Sequence, residues 1–201
     1  MPDLRAGLDR ALRCHGRPSS DFDLNKDVKL AAGRVLRPAG VLVPIIDRGA
    51  GPHVVLTMRS SALKHHPGQI AFPGGKVDSC DRDEVAAALR EAREEIGLNP
   101  SSADVLGSLP PHETVTGFTV TPVLALVDPE FRAIPEAGEV AEVFEVPMAH
   151  VMDTSLYSIQ SRRWRGQRRF YFTVPWGPYY IWGATARMLR ALADRMADDA
   201  D

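Results

Sequence analysis

The chain has 201 residues, 44% of them apolar, which suits one domain with a buried core of its own. A formal net charge of −2 gives no bulk attraction to nucleic acid or acidic lipid, so the expected partner is a small molecule, with no nucleic acid and no membrane. Cys14 and Cys80 are too few for a disulfide framework and lack metal-ligand spacing, which points to a reducing cytoplasm, and no stretch reaches the ~18 apolar residues of a membrane span.

Leu4, Leu8 and Leu12 recur every four residues and predict a short amphipathic helix, while Asp3, Arg5, Asp9 and Arg10 interrupt any signal-peptide core. Gly16 to Asp27 reads as a polar loop. Residues 1–38 are therefore expected to form a helical extension packed on a domain spanning 39–201. Ala39 to Ile46 and His53 to Met58 flank a Gly- and Pro-containing turn and predict two strands. Pro73-Gly74-Gly75 then bends the backbone, and from Asp81 to Leu98 the period becomes helical, with Val85, Leu89, Ala92 and Ile96 on one side. Asp81 and Glu84 have the spacing of a capping pair, and Gly97 and Pro100 supply the stop. Further strands are expected at Thr119–Val127, Val140–Val146 and Arg169–Val174, the last after a turn at Arg165-Gly166-Gln167. Ile181 to Met196 forms a closing helix, with Met188, Leu189, Leu192 and Met196 on one side. Helices and strands interleave through connections of mixed length, which predicts an α/β (α+β) single domain.

The helix after the glycines carries the chemistry. At about 100° per residue, Glu84, Glu91, Glu94 and Glu95 share an arc beside the apolar one. Like charges at spacings of three and four repel, so the arc costs stability unless a cation answers it. Hard oxygen donors suit magnesium, which takes one or two carboxylates, keeps several waters and accepts the rest of its shell from substrate phosphates. A solvated helix face with surface pairs to Arg90 and Arg93 is the alternative. A P-loop is excluded, because Lys76 is followed by Val77 and Ile70 stands where its first glycine belongs.

Gly74-Gly75 followed by Arg90-Glu91-Ala92-Arg93-Glu94-Glu95-Ile96-Gly97-Leu98 resembles the Nudix box, and its second half matches at every specified position. The resemblance implies a mixed β-sheet sandwiched between helices, preceded here by the short N-terminal helical extension. It also implies Mg²⁺ or Mn²⁺ as cofactor, with Glu91, Glu94 and Glu95 as metal ligands, Arg90 buttressing a carboxylate, and Gly74 and Gly75 giving the loop close passage beside metal and substrate. The first half carries one extra residue: the expected early acid falls on Arg82, leaving Asp81 or Glu84 to replace it, or a local bulge at the start of the helix. Glu84 lies on the acidic arc and is the preferred outer carboxylate. Nudix enzymes often draw another carboxylate from outside the box, which makes Glu139 a candidate ligand or base, with surface placement as the alternative for Glu139 and Glu142.

Before the box, Leu56-Thr57-Met58-Arg59-Ser60, Leu63, His66 and Gly68-Gln69-Ile70-Ala71-Phe72-Pro73-Gly74-Gly75-Lys76 resemble the additional motif of the coenzyme A pyrophosphatase branch, which also accommodates the extra residue. The similarity continues through Thr114–Val123 and Ile181–Arg187. It implies hydrolysis of coenzyme A or acyl-CoA to 3′-phosphoadenosine 5′-phosphate and 4′-phosphopantetheine. Arg59 is the candidate for the diphosphate. His66 is a candidate general acid or phosphate contact, or a turn residue beside Pro67. The run Arg162, Arg163, Arg165, Arg168, Arg169, with Trp164 inside it, can hold the 3′-phosphate or stack adenine, or be a solvated hairpin tip. Phe170, Tyr171, Phe172, Trp176, Tyr179 and Tyr180 are expected to pack in the core and hairpin, with a base-binding cage as the alternative. A hydrolase of ADP-ribose or a dinucleotide, and a catalytically silent nucleotide-binding domain, stay open as alternatives, as does monomer against homodimer.

Overall fold

The computed structural model describes residues 2–14, 16–28, 30, 33–164 and 166–197. The chain opens with α1 (Pro2–Arg13) and β1 (Ser19–Ser20), then runs through β2 (Arg37–Asp47), β3 (Pro52–Arg59), β4 (Ile70–Ala71) and β5 (Gly74–Lys76) to α2 (Glu84–Ile96). β6 (Ala103–Ser108), β7 (His112–Glu113), β8 (Phe118–Val127) and β9 (Val140–Pro147) follow, then α3 (Met148–Met152), β10 (Ser158–Trp164), β11 (Gln167–Thr173) and α4 (Gly183–Ala197).

The run Val41 to Ile46 is apolar on both faces because β2 is the spine of the sheet. One edge pairs in parallel with β8 from Arg37↔Phe118 to Ile46↔Val127. On the other edge the partner changes: Ile45–Asp47 pairs with β3 and Ala39–Val41 with β5, both antiparallel. That change lays the Gly74–Lys76 backbone beside the start of β2, under α2. β9 extends the sheet from β3, and β6 and β7 from β8, while β10 and β11 form a separate hairpin.

Alternation along the central strands divides the interior. Leu42, Ile46, Val55, Val123 and Ala125 face α2, where Ala88, Ala92 and Ile96 meet them. Val43, Ile45, Val54, Leu56 and Leu124 face the other way, onto Leu8 and Ala11 of α1, Val151 of α3, and Leu189 and Leu192 of α4. The sheet is thus sandwiched between helices, the mixed α/β architecture that the resemblance implies. Each fully buried Leu or Ile contributes roughly 1.5–3 kcal/mol. Gly40 sets the fit between β2 and α2: a Cβ there would stand 1.9 Å from the Glu84 carbonyl oxygen.

Several boundaries differ from expectation. α2 begins at Glu84, three residues after Asp81, because Asp83 is its N-cap and accepts from the Ala86 N–H at 2.8 Å. α4 begins at Gly183, since Ile181 and Trp182 are still paired with the end of β11: Val174 N–H donates to the Ile181 carbonyl at 2.9 Å. The polar loop from Gly16 contains β1, which pairs in parallel with β7. Arg165, expected in the hairpin turn, lies outside the described residues. No described helix is long and apolar enough to cross a membrane.

Candidate active site

Burial of Ala88, Ala92 and Ile96 against the sheet fixes the rotation of α2, and the adjacent acidic arc then turns toward the glycine loop. Glu95 is only 4% exposed; its Oε2 accepts from the Gly74 N–H at 3.1 Å and its Oε1 lies 3.9 Å from Arg59 Nη1. The Glu91 carboxylate lies against the next residue, where a Cβ on Gly75 would come within 2.5 Å of Oε1. Gly74 itself has φ +152°, and a Cβ there would meet the Gly40 carbonyl oxygen at 2.5 Å. Both glycines are therefore steric requirements of this approach. Glu139 comes from the loop before β9, tied to the end of β3 by Ser60 N–H donating to its carbonyl at 2.8 Å. Its charge is close enough to act on both Glu91 and Glu95.

Arg90 organises the outer side. Its Nε and Nη2 donate to Asp81 at 3.0 and 2.9 Å, its Nη1 to Glu91 at 2.9 Å and Glu94 at 3.1 Å, and its Nη2 to the Lys76 carbonyl at 3.2 Å. This corrects one expectation about the irregular part of the box. Asp81 is not the cap but the near-bidentate partner of Arg90, while Glu84, preferred as the outer carboxylate, is the first residue of α2. The extra residue is absorbed between Val77 and Asp83, before the helix starts, so Asp81 can curl back on the guanidinium.

The site holds a surplus of negative charge. Burial pushes the Glu95 carboxyl up to about 7 against the pull of the Gly74 N–H, with Glu91 adding to the rise, Arg59 opposing it and Glu139 adding again. Burial also raises Glu91, opposed by its bond to Arg90. Asp81 is held below the usual carboxylate range by its hydrogen bond from Arg90, and the same bond raises Arg90 further. Among the described residues no three His, Cys, Asp or Glu side chains enclose an ion by themselves. One or two under-neutralised carboxylates beside an open loop nonetheless fit a magnesium-type ion, which is seldom held by an all-protein cage.

The other predicted residues scatter more widely. Arg59 is the last residue of β3, one residue beyond the expected end of that strand. Glu94 is paired to Arg90 on the exposed outer side of α2. His66 sits apart from the carboxylates, in a turn with φ 56°, where its carbonyl accepts from Gln69 N–H at 3.2 Å and it lines a separate cleft. Glu142 accepts from Tyr179 Oη–H at 2.6 Å, and Tyr179 stacks on Phe144 at 3.6 Å, so this acid belongs to the packing. In the basic run, Arg162 lies over Trp182 at 4.4 Å and Arg168 donates to Ser161 Oγ at 2.9 Å. Phe172, Trp176 and Tyr179 pack on the core as expected, whereas Phe170 and Tyr180 are exposed, which corrects the expectation of packing for those two. No local signal marks the buried array Ser19 Oγ···His112 Nδ1 (2.9 Å) and His112 Nε2···Asp21 Oδ1 (3.1 Å), since its members are about 90 residues apart.

The NUDIX domain family model matches residues 36–166. A Citrobacter koseri protein named "Uncharacterized Nudix hydrolase NudL" is 43% identical over 157 residues, covering 78% of this chain and 81% of the relative. One of the same name from Klebsiella pneumoniae is 40% identical over 185 residues, covering 87% and 96%. Among solved structures, the M. smegmatis Nudix hydrolase RenU superposes with TM-score 0.50 at 25% identity, covering 61% of this chain and 84% of that one. The MutT protein from Methanosarcina mazei, at 16% identity, shows the fold alone, with TM-score 0.54 over 85% of this chain and 100% of its own.

Proposed function

The chain belongs to the Nudix hydrolase family, and from that membership we propose that it hydrolyses the diphosphate bond of coenzyme A and its derivatives, giving 3′-phosphoadenosine 5′-phosphate and 4′-phosphopantetheine. One observation carries the substrate assignment. The block before the box, where the resemblance to the coenzyme A branch lies, is folded against the box itself: Arg59 from that block approaches Glu95, and the Gly74 N–H from its end holds the same carboxylate.

Glu91 and Glu95, with Glu94 on the outer side, are the residues that would hold Mg²⁺ or Mn²⁺. Such an ion supplies charge neutralisation on the phosphates and a lowered pKa for attacking water. Arg90 and Asp81 fix the Glu91 carboxylate in place. Water attacks one phosphorus, the bridging P–O bond breaks, and a carboxylate of this group takes the water's proton. Glu139, on a loop outside the box, serves as further ligand or base. Arg59 clamps the diphosphate with its planar fork. In this assignment residues 39–201 are the hydrolase domain and 1–38 its extension. Free thiols at Cys14 and Cys80 support a reducing, cytoplasmic setting.

The test offers coenzyme A, ADP-ribose, NADH and diadenosine polyphosphates side by side under magnesium and analyses the products. Coenzyme A is expected to be cut fastest. Faster cleavage of ADP-ribose would overturn the coenzyme A assignment and spare the family.

A further inference from the structure

Beside the carboxylate group lies a cleft of about 270 Å³, reached across a single short strand. Arg59 N–H donates to the Gln69 carbonyl at 3.0 Å, while the next carbonyl, that of Ile70, accepts from Thr185 Oγ at 3.0 Å. The strand β4 therefore has Arg59 on one side and the start of α4 on the other, and Gln69 and His66 face the cleft.

One wall of the cleft comes from the N-terminal extension, and it is pinned. Asn25, 8% exposed, donates to the Phe170 carbonyl and accepts from the Phe170 N–H, both at 2.9 Å. Asp21 is held by buried His112 at 3.1 Å and accepts from the Val115 N–H at 2.8 Å. Asp23 pairs with Arg187 at 2.8 Å. Residues 19–25 are thereby tied to β7, to the hairpin and to α4, so the cleft is built into the fold rather than left between loose loops.

Its functional surface is aromatic and cationic. The Arg162 guanidinium lies over Trp182 at 4.4 Å, and Tyr171 meets Trp182 edge-on at 5.0 Å. Phe170 lines the same cleft and stays 38% exposed. Arg187 spends its charge on Asp23, but Arg162 makes no ion pair with a carboxylate among the described residues. A guanidinium stacked on an indole and lacking a carboxylate partner, beside open aromatic faces, calls for a ligand with both a π-face and a separate anion. A pantetheine chain has neither, whereas a phosphorylated nucleoside has both.

We propose that this cleft, closed by residues 19–25 of the extension, is the nucleotide subsite, in which Arg162 receives a phosphate set apart from the diphosphate that is cut and the aromatic faces take the base. It rests on the coenzyme A assignment, whose nucleotide half carries that separate 3′-phosphate. Calorimetric titration of the full-length protein, with magnesium present, would use 3′-phosphoadenosine 5′-phosphate, AMP and 4′-phosphopantetheine. The first is expected to bind about tenfold or more tightly than AMP, as one charge-assisted contact warrants. Arg162→Ala, an exposed position, should bring it to the AMP level with Tm unchanged. Equal affinity for the two nucleotides, an unchanged preference in Arg162→Ala, or tighter binding of 4′-phosphopantetheine overturns the subsite. Nucleotide preference without coenzyme A hydrolysis would keep the subsite and reject the reaction; hydrolysis without preference would do the reverse.

Discussion

Replacing Glu95 with Gln removes one negative charge from a carboxyl that is 4% exposed, and keeps an oxygen to accept the Gly74 N–H. Its pKa rises from the ordinary 4.5 to about 7 on folding. The native state therefore retains a proton that the unfolded chain releases in this window. Metal-free stability contributed by this group is then fully present below about pH 4.5 and is lost as pH climbs through about 7. At about 1.36 kcal/mol per pH unit, the loss is on the order of 3 kcal/mol. Near-complete burial means that solvent screening does not shrink it much. Urea unfolding in EDTA at pH 5 and pH 8 should show wild type losing stability on that order relative to Glu95→Gln, with the variant the more stable at pH 8. Magnesium should then stabilise wild type more than the variant, since a ligand of the native state raises stability in proportion to its binding. Turnover should fall at least about 100-fold, the scale for removing one group that stabilises developing charge. An equal loss in both proteins between pH 5 and 8, or a variant less stable at pH 8, would refute the charge argument. Near-normal turnover at saturating magnesium would refute the ligand assignment.

Gly75→Ala places a methyl 2.5 Å from Glu91 Oε1, the movable end of a side chain, so kcat should drop sharply while Tm changes little. Gly40→Ala meets backbone at 1.9 Å and should instead cost roughly 1–3 kcal/mol in a denaturant titration. Arg59→Ala should lower kcat as well as affinity by about 10 to 1,000-fold, with Lys rescuing only partly because it lacks the fork; unchanged kinetics would return Arg59 to the surface. Asp81→Asn weakens the paired hydrogen bonds from Arg90 and should reduce kcat by about 10 to 100-fold, the usual scale for a group that orients a ligand. Steady-state rates equal to wild type would make Asp81 a loop residue only.

What the sequence by itself determined is local and periodic. The run Ala39–Ile46 had to be a strand, and the spacing of Val85, Leu89, Ala92 and Ile96 had to place the glutamates beside an apolar arc, because both follow from backbone periods that few residues can override. Helix starts were less legible: Asp81 and Asp83 offer the same chemistry, and only the salt bridge to Arg90 decides which of them caps α2. Contacts between distant segments carry no period and leave no local trace. The charge of Glu139 reaches Glu91 and Glu95 only because β9 pairs with β3. Residues 19–25 wall the cleft at Trp182 only because β1 pairs with β7 and Asn25 reaches Phe170, 145 positions away. Chain topology settles such pairings, since the free energy of bringing remote segments together depends on the whole sheet rather than on the residues that finally touch.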